Sequence, residues 1–254
     1  MAYHTFIFFG YPIQLHLLGF IFCGTVCSYN FHWFLTPELA SGSVKAAWSY
    51  RNRHLHASLF IASFMGAAYF GYFLIDKWYW LLLTAAVTFL YSAPKIPFGP
   101  FQQLKKIAIG KTVFLAFAWT HIPFILPLLF STSEWTIPEY LFVFNRFYLI
   151  YAICIVFDHR DREADRKEGI RSMITDLPER GINRLFWGSI IAFAISAIAM
   201  LTYGYSWSAV FILLLPGIIL GSTYRSSKSR ISDYYYYFFL DGLMMLSSLL
   251  LLVF

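Results

Sequence analysis

The chain is built of long apolar runs separated by short polar stretches. Eight runs, at 13–34, 55–75, 78–93, 107–130, 138–158, 182–203, 206–224 and 233–254, approach the length that crosses a bilayer, about 20 apolar residues for a helix. Inside lipid a backbone must satisfy its own hydrogen bonds, and unbroken apolar runs do so as helices. The pattern therefore predicts an all-α, polytopic membrane bundle of eight spans, with residues 1–254 as a single membrane domain. Ahead of the runs, Tyr3 to Phe9 is apolar but too short to span. It reads as an interfacial stub or as half of a lost first helix. It has neither the basic start nor the small-residue cleavage site of a signal peptide.

The polar stretches alternate in charge. Lys45, Arg51 and Arg53 form one basic group, and Lys95, Lys105 and Lys106 a second. The basic residues from Arg160 to Arg184 form a third, and Arg225, Lys228 and Arg230 a fourth. Of the 19 Lys and Arg, only Lys77, Lys111 and Arg146 fall elsewhere. The excess of Lys and Arg on cytoplasmic loops places all four basic stretches on one side, which requires an even number of crossings between any two. Eight runs meet that requirement. The expectation is a multi-pass protein of the cell membrane with the stretch after residue 158 in the cytoplasm.

Composition agrees: 59% of residues are hydrophobic and 13% charged, against about 25% charged in soluble domains. Mean hydropathy is +0.61. The net charge of +6 is then mainly a topological signal, although basic loops also suit anionic headgroups or a phosphorylated substrate. No soluble basic domain exists to bind nucleic acid, and none is expected as a partner. Cys23, Cys27 and Cys154 lie within apolar runs, without the His or further Cys that a zinc site needs. They read as small buried side chains.

Acid is concentrated in one place, Asp158 to Ser172, reading DHRDREADRKEGIRS. Asp158, Asp161 and Asp165 stand at i, i+3 and i+7, so on a helix their carboxylates project from one face. Three like charges on one stripe repel unless a cation sits among them. Oxygen ligands suit Mg²⁺, which leaves its other positions to water and substrate phosphates. The stripe thus points to a magnesium–diphosphate site at a membrane surface. The competing reading is a solvated stretch in which Arg160, Arg162, Arg166, Lys167 and Arg171 pair with the acids. Within the runs, Asp241 is expected to face the bundle interior. Lys111 is expected either to snorkel or to reach a phosphate. Arg146 is expected to find an internal ion pair or a carbonyl, and His121 to be a hydrogen-bonded interior histidine. Tyr234 to Tyr237 looks like an interfacial aromatic belt.

DHRDREADRKEGIRS resembles the second aspartate-rich motif of the UbiA superfamily of intramembrane prenyltransferases. The core of that motif is DxxxD followed by Gly-Ile-Lys/Arg-Ser/Thr. Asp161 and Asp165 match the core, Gly169-Ile170-Arg171-Ser172 the tail, and Asp158 an additional upstream acid. Leu90-Tyr91-Ser92 with Pro94, then Leu104-Lys105-Lys106, resembles the family's "YS.P…LK" passage, and Leu240-Asp241-Gly242 is similar to its last helix. The resemblance implies a UbiA-like fold in which Mg²⁺ bridges an isoprenyl diphosphate to two aspartate-rich motifs. Ionisation of the allylic C–O bond would give a carbocation that a hydrophobic, often aromatic, acceptor attacks. It implies Asp161 and Asp165 as catalytic residues and Asp158, Asp161 and Asp165 as metal ligands. Asn30, Glu38, Lys105, Lys106, Lys111 and Arg171 would contact the substrate.

The first motif departs from the family. Where the family has NDxxDxxxD, this chain has Asn30, Phe31, Phe34 and Glu38. Phenylalanine cannot ligate a metal, and imidazole from His32 suits magnesium poorly. The first helix also reads as truncated. Three readings follow: a divergent prenyltransferase using one Mg²⁺, a non-catalytic protein that binds an isoprenoid lipid, and a membrane scaffold with an acidic docking loop. The mostly unbroken aromatic spans argue against a carrier.

Overall fold

The computed structural model describes residues 1–36, 44–96, 98, 101, 110–167, 169–228, 232 and 234–252. The secondary structure described is helical throughout. Glu38, Lys105 and Lys106 lie outside the described residues. The chain divides into two compact units, one of Met1, Tyr3–Tyr11 and Ile107–Phe254, the other of Ala2 and Pro12–Lys106.

The larger unit contains α1 (Ala2–Phe9, apart from Ala2), α6 (Gly110–Thr120), α7 (Leu126–Ser131), α8 (Ile137–Lys167), α9 (Met173–Asp176), α10 (Glu179–Ala199), α11 (Trp207–Ser227) and α12 (Asp241–Leu250). Helix α8, 31 residues long, is its axis and packs against α6 and α10. Its start is fixed by Glu139 in the first turn, which accepts from the Thr136 backbone N–H at 2.9 Å and from the Tyr11 hydroxyl at 2.5 Å. Burial and this bond push the Tyr11 phenol up to about 12. Its end is set by Gly169, whose φ of 69° is a left-handed conformation open to glycine. A π-helical turn, His121–Ile125, joins α6 to α7 around Pro123, because proline cannot continue the α-helical ladder. His121 is buried there and stacks on Phe117.

Arg146, 1% exposed, ties the bundle together. Its Nε donates to Asn145 Oδ1 at 2.9 Å, Nη1 to Ser247 Oγ at 2.6 Å and Nη2 to the Leu213 carbonyl at 3.3 Å. Asn145 in turn donates to the Phe193 carbonyl at 2.8 Å. One buried pair on α8 thereby engages α10, α11 and α12, and the expected carbonyl contact of Arg146 is present. Close packing of α11 on α10 depends on Gly217, where a Cβ would lie 2.2 Å from Phe193 Cε1. Gly217→Ala is expected to destabilise the protein by about 1–3 kcal/mol through overpacking. Gly242→Ala, with nothing within 4 Å of its added Cβ, should be near neutral. Thermal unfolding of the two variants in detergent separates these outcomes.

The smaller unit contains α2 (Leu15–Phe34), α3 (Val44–Arg51), α4 (Arg53–Tyr72) and α5 (Trp78–Ser92). Helices α2 and α4 pack closely because small residues let the partner in. A Cβ at Gly66 would meet Cys23 Sγ at 2.8 Å, and one at Gly19 would meet the Phe70 ring at 2.7 Å.

Among the described residues, four helical stretches are long and apolar enough to cross a membrane: Lys111–Ser131, Ile137–Lys167, Glu179–Tyr203 and Trp207–Ser227. A fifth arises if Arg53–Tyr72 and Ile75–Ser92, which meet at a 92° bend, form one broken span. Of the eight expected spans, four or five are thus supported by length and composition among the described residues. The run at 233–254 divides into a π-helical turn, Tyr235–Leu240, and the ten-residue α12. The runs at 55–75 and 78–93 meet at that bend rather than turning back on each other. Helix α2, though 20 residues long, is made less apolar by His16, Asn30 and His32. The tyrosine belt also differs from expectation: Tyr234 and Tyr237 are exposed, but Tyr235 and Tyr236 are buried. The Tyr236 hydroxyl donates to the Ser227 carbonyl at 3.1 Å.

Candidate functional site

The acidic stripe lies on the last turns of α8, next to the first turn of α6. Lys111 of α6 is held between two of the three aspartates. Its Nζ is 2.5 Å from Asp165 Oδ2 and 3.4 Å from Asp158 Oδ1. Thr112 donates its hydroxyl to Asp158 Oδ2 at 2.5 Å. The two carboxylates are almost fully buried, with side chains 5% and 9% exposed, whereas the Lys111 side chain is 33% exposed.

Asp161 takes another direction. Its side chain is 42% exposed, and Oδ1 accepts from Arg160 Nε at 2.7 Å. Helical geometry accounts for the split. At 3.6 residues per turn, seven residues return to within about 20° of the same direction, but three fall about 60° away. Asp158 and Asp165 therefore share a line that Asp161 leaves. Arg160 lies over the rings of Tyr236 and Tyr237 at 4.3 and 5.3 Å, which fixes the arginine that Asp161 meets.

The rest of the motif closes the helix and opens the next. Ile170 N–H returns to the Asp165 carbonyl at 2.8 Å after the left-handed Gly169. Ser172 caps α9 in a reciprocal capping box with Thr175. Arg166 donates to the Thr175 carbonyl from Nε and Nη2 at 3.0 and 2.7 Å, and Arg162 to the Leu177 carbonyl at 2.5 Å. Arg171 is exposed and pairs with Asp176 at 2.8 Å. The motif's basic residues thus mostly brace the turn that holds the aspartates. Thr112, which no sequence pattern had singled out, is the member of this cluster that the sequence did not reveal; its one signal was its place beside Lys111.

In the smaller unit, the residues at the first-motif positions make contacts unlike those of metal ligands. Phe31 packs on Phe60 and Phe89 with centroids 5.5 and 6.5 Å apart. Phe34 lies under the Arg53 guanidinium at 4.8 Å. Asn30 donates to the Val26 carbonyl at 2.8 Å, and its Oδ1 meets His56 Nδ1 at 2.8 Å. The His32 ring stacks on Tyr91. Lys95 donates to Thr36 Oγ1 at 2.5 Å.

Among the described residues no three His, Cys, Asp or Glu side chains gather as a metal cluster. Two carboxylates do converge, and an ammonium marks their meeting point. That donor set fits one Mg²⁺ ion, which commonly takes one or two carboxylates from the protein. Asp158 and Asp165 are the residues that would hold it.

The sequence model of the UbiA prenyltransferase family matches residues 39–243. No curated protein and no solved structure matches the chain.

Proposed function

The chain belongs to the UbiA prenyltransferase family, and from that premise we propose that it transfers an isoprenyl group from its diphosphate to a hydrophobic acceptor, with one Mg²⁺ ion. The observation that carries this reading is Lys111 clamped by Asp158 and Asp165 at the end of an apolar helix. Two ionised carboxylates around one ammonium leave an excess negative charge, which would repel a diphosphate by itself. Bound there, Mg²⁺ would reverse that sign and stabilise charge on the departing diphosphate. The chain's own part is to hold the carboxylates in register on α8, with Thr112 fixing Asp158 through Oδ2. Lys111, partly open to solvent, supplies a further cation for the phosphate oxygens. Asp161, Asn30, Arg171 and, outside the described residues, Glu38, Lys105 and Lys106 are proposed as further contacts to the substrate. The apolar helices of the bundle would shelter the prenyl tail and keep water from the carbocation. Heterolysis of the allylic C–O bond leaves diphosphate with the electron pair. The acceptor then forms the new bond and loses a proton.

A second reading, binding of an isoprenoid lipid without transfer, is favoured by one observation. Phe31, in place of a first-motif aspartate, is committed to aromatic packing. Purified protein given labelled isoprenyl diphosphates of several chain lengths and a membrane lipid extract separates the two. Magnesium-dependent release of inorganic diphosphate together with label in the lipid phase is the expected result. Tight binding of the isoprenyl chain with no release at any length would establish the second reading.

A further inference from the structure

Lys111 stands at the point where Asp158 and Asp165 converge, the position their geometry offers to a metal. An ammonium and a divalent cation cannot occupy one point, so the two compete for the same oxygens. The buried carboxylates also cannot be left without a cation, because two adjacent negative charges shielded from water repel strongly. Resting on the prenyl-transfer reading, we infer that Lys111 is a resident counter-ion that closes the acidic pair to metal alone. Lys111 gives up Asp158 and Asp165 when a diphosphate is present to take its ammonium, so metal and diphosphate enter together.

The side chain is suited to that exchange. It is one-third exposed, while its two partners are almost wholly buried, so the lysine is the member of the triad with room to move. It leaves from the first turn of α6 on a flexible stem, while the carboxylates stay on α8, with Thr112 retaining Asp158. Without a diphosphate, Lys111 would exchange two carboxylates for water or a headgroup, and a metal ion must displace it at a loss. With a phosphate, both cations find oxygen partners. Linkage makes the coupling reciprocal: the diphosphate raises metal affinity by the factor by which metal raises diphosphate affinity.

The test uses the purified full chain, with Mn²⁺ as an oxygen-seeking reporter whose free concentration is read by electron paramagnetic resonance. Wild type is compared with Lys111→Met, with and without the slowly reacting analogue farnesyl thiodiphosphate. In the variant Mn²⁺ alone should bind at least about tenfold more tightly than to wild type, and it should raise a lowered melting temperature. Wild type should gain a similar factor when the analogue is added. Should Lys111→Met not fold, the wild-type titration decides by itself: equal Mn²⁺ affinity with and without the analogue overturns the inference. If both proteins respond to the analogue but have the same affinity for Mn²⁺ alone, the role of Lys111 is overturned and prenyl transfer stands. Mn²⁺ binding unmasked by Lys111→Met in a protein that ignores the analogue would leave Lys111 a plain counter-ion, overturning the joint entry of metal and diphosphate and prenyl transfer with it.

Discussion

Arg146→Ala is expected to lower the stability of the folded protein by roughly 3 kcal/mol. The guanidinium is fully enclosed and bonds to Asn145 Oδ1, Ser247 Oγ and the Leu213 carbonyl. Truncation removes three donors together and leaves those oxygens where no water can reach them. It also opens a cavity beside Phe142, whose ring lies 5.6 Å from the guanidinium. Hydrogen bonds between membrane helices are worth about 0.6 kcal/mol on average, so most of the loss comes from the stranded polar atoms and the cavity. Arg146→Lys, which keeps the charge but loses the planar fork, should recover only part of it. Thermal or denaturant unfolding in detergent gives the ranking, and an unchanged midpoint in Arg146→Ala would show that the network carries no stability.

The second large effect is on ligand binding. Asp158→Asn combined with Asp165→Asn keeps the shape of both side chains and removes the paired negative charge. Magnesium-dependent affinity for isoprenyl diphosphates should fall roughly 100-fold or more, since charge-assisted contacts are each worth about 1.5–3 kcal/mol. Folding should survive, because Lys111 is partly exposed and can extend to water or headgroups once released. Asp161→Asn is expected to cost much less than either buried aspartate, given its exposed bond to Arg160. Equal losses from Asp161→Asn and Asp165→Asn would mean that the substrate recruits all three acids.

Much of the helical layout was legible in the apolar runs, because lipid leaves the backbone few alternatives. Loop polarity and the motif at Asp158 to Ser172 pointed to the family that the match over residues 39–243 then showed. Run lengths did not reveal the 92° bend between Arg53–Tyr72 and Ile75–Ser92, since two apolar runs read alike whether they reverse or turn a corner. The burial of Tyr235 and Tyr236 was hidden for a related reason: an aromatic run has no polar positions to reveal which side faces inward. Within the site, the i, i+3, i+7 spacing placed Asp158 and Asp165 on one line but overstated Asp161, whose angular offset is enough for a neighbouring arginine to capture it. The clamp on Lys111 and the bond from Thr112 join positions 54 and 46 residues apart in sequence. Such pairings follow from how α6 packs on α8, which no local spacing encodes. The Phe31 and Phe34 departures were visible as substitutions, and the aromatic packing around Phe31 explains why phenylalanine is accommodated there.

The most direct test of a magnesium–diphosphate site at Asp158 and Asp165 is thermal stabilisation of the purified protein by a series of isoprenyl diphosphates. Each is measured with and without Mg²⁺, for wild type and for the double Asp→Asn variant. A ligand that binds only the folded state raises the melting temperature by mass action. The account predicts a magnesium-dependent rise in wild type, selective for chain length and absent from the variant. A folded wild-type protein whose melting temperature responds to no chain length, with or without the metal, would contradict it.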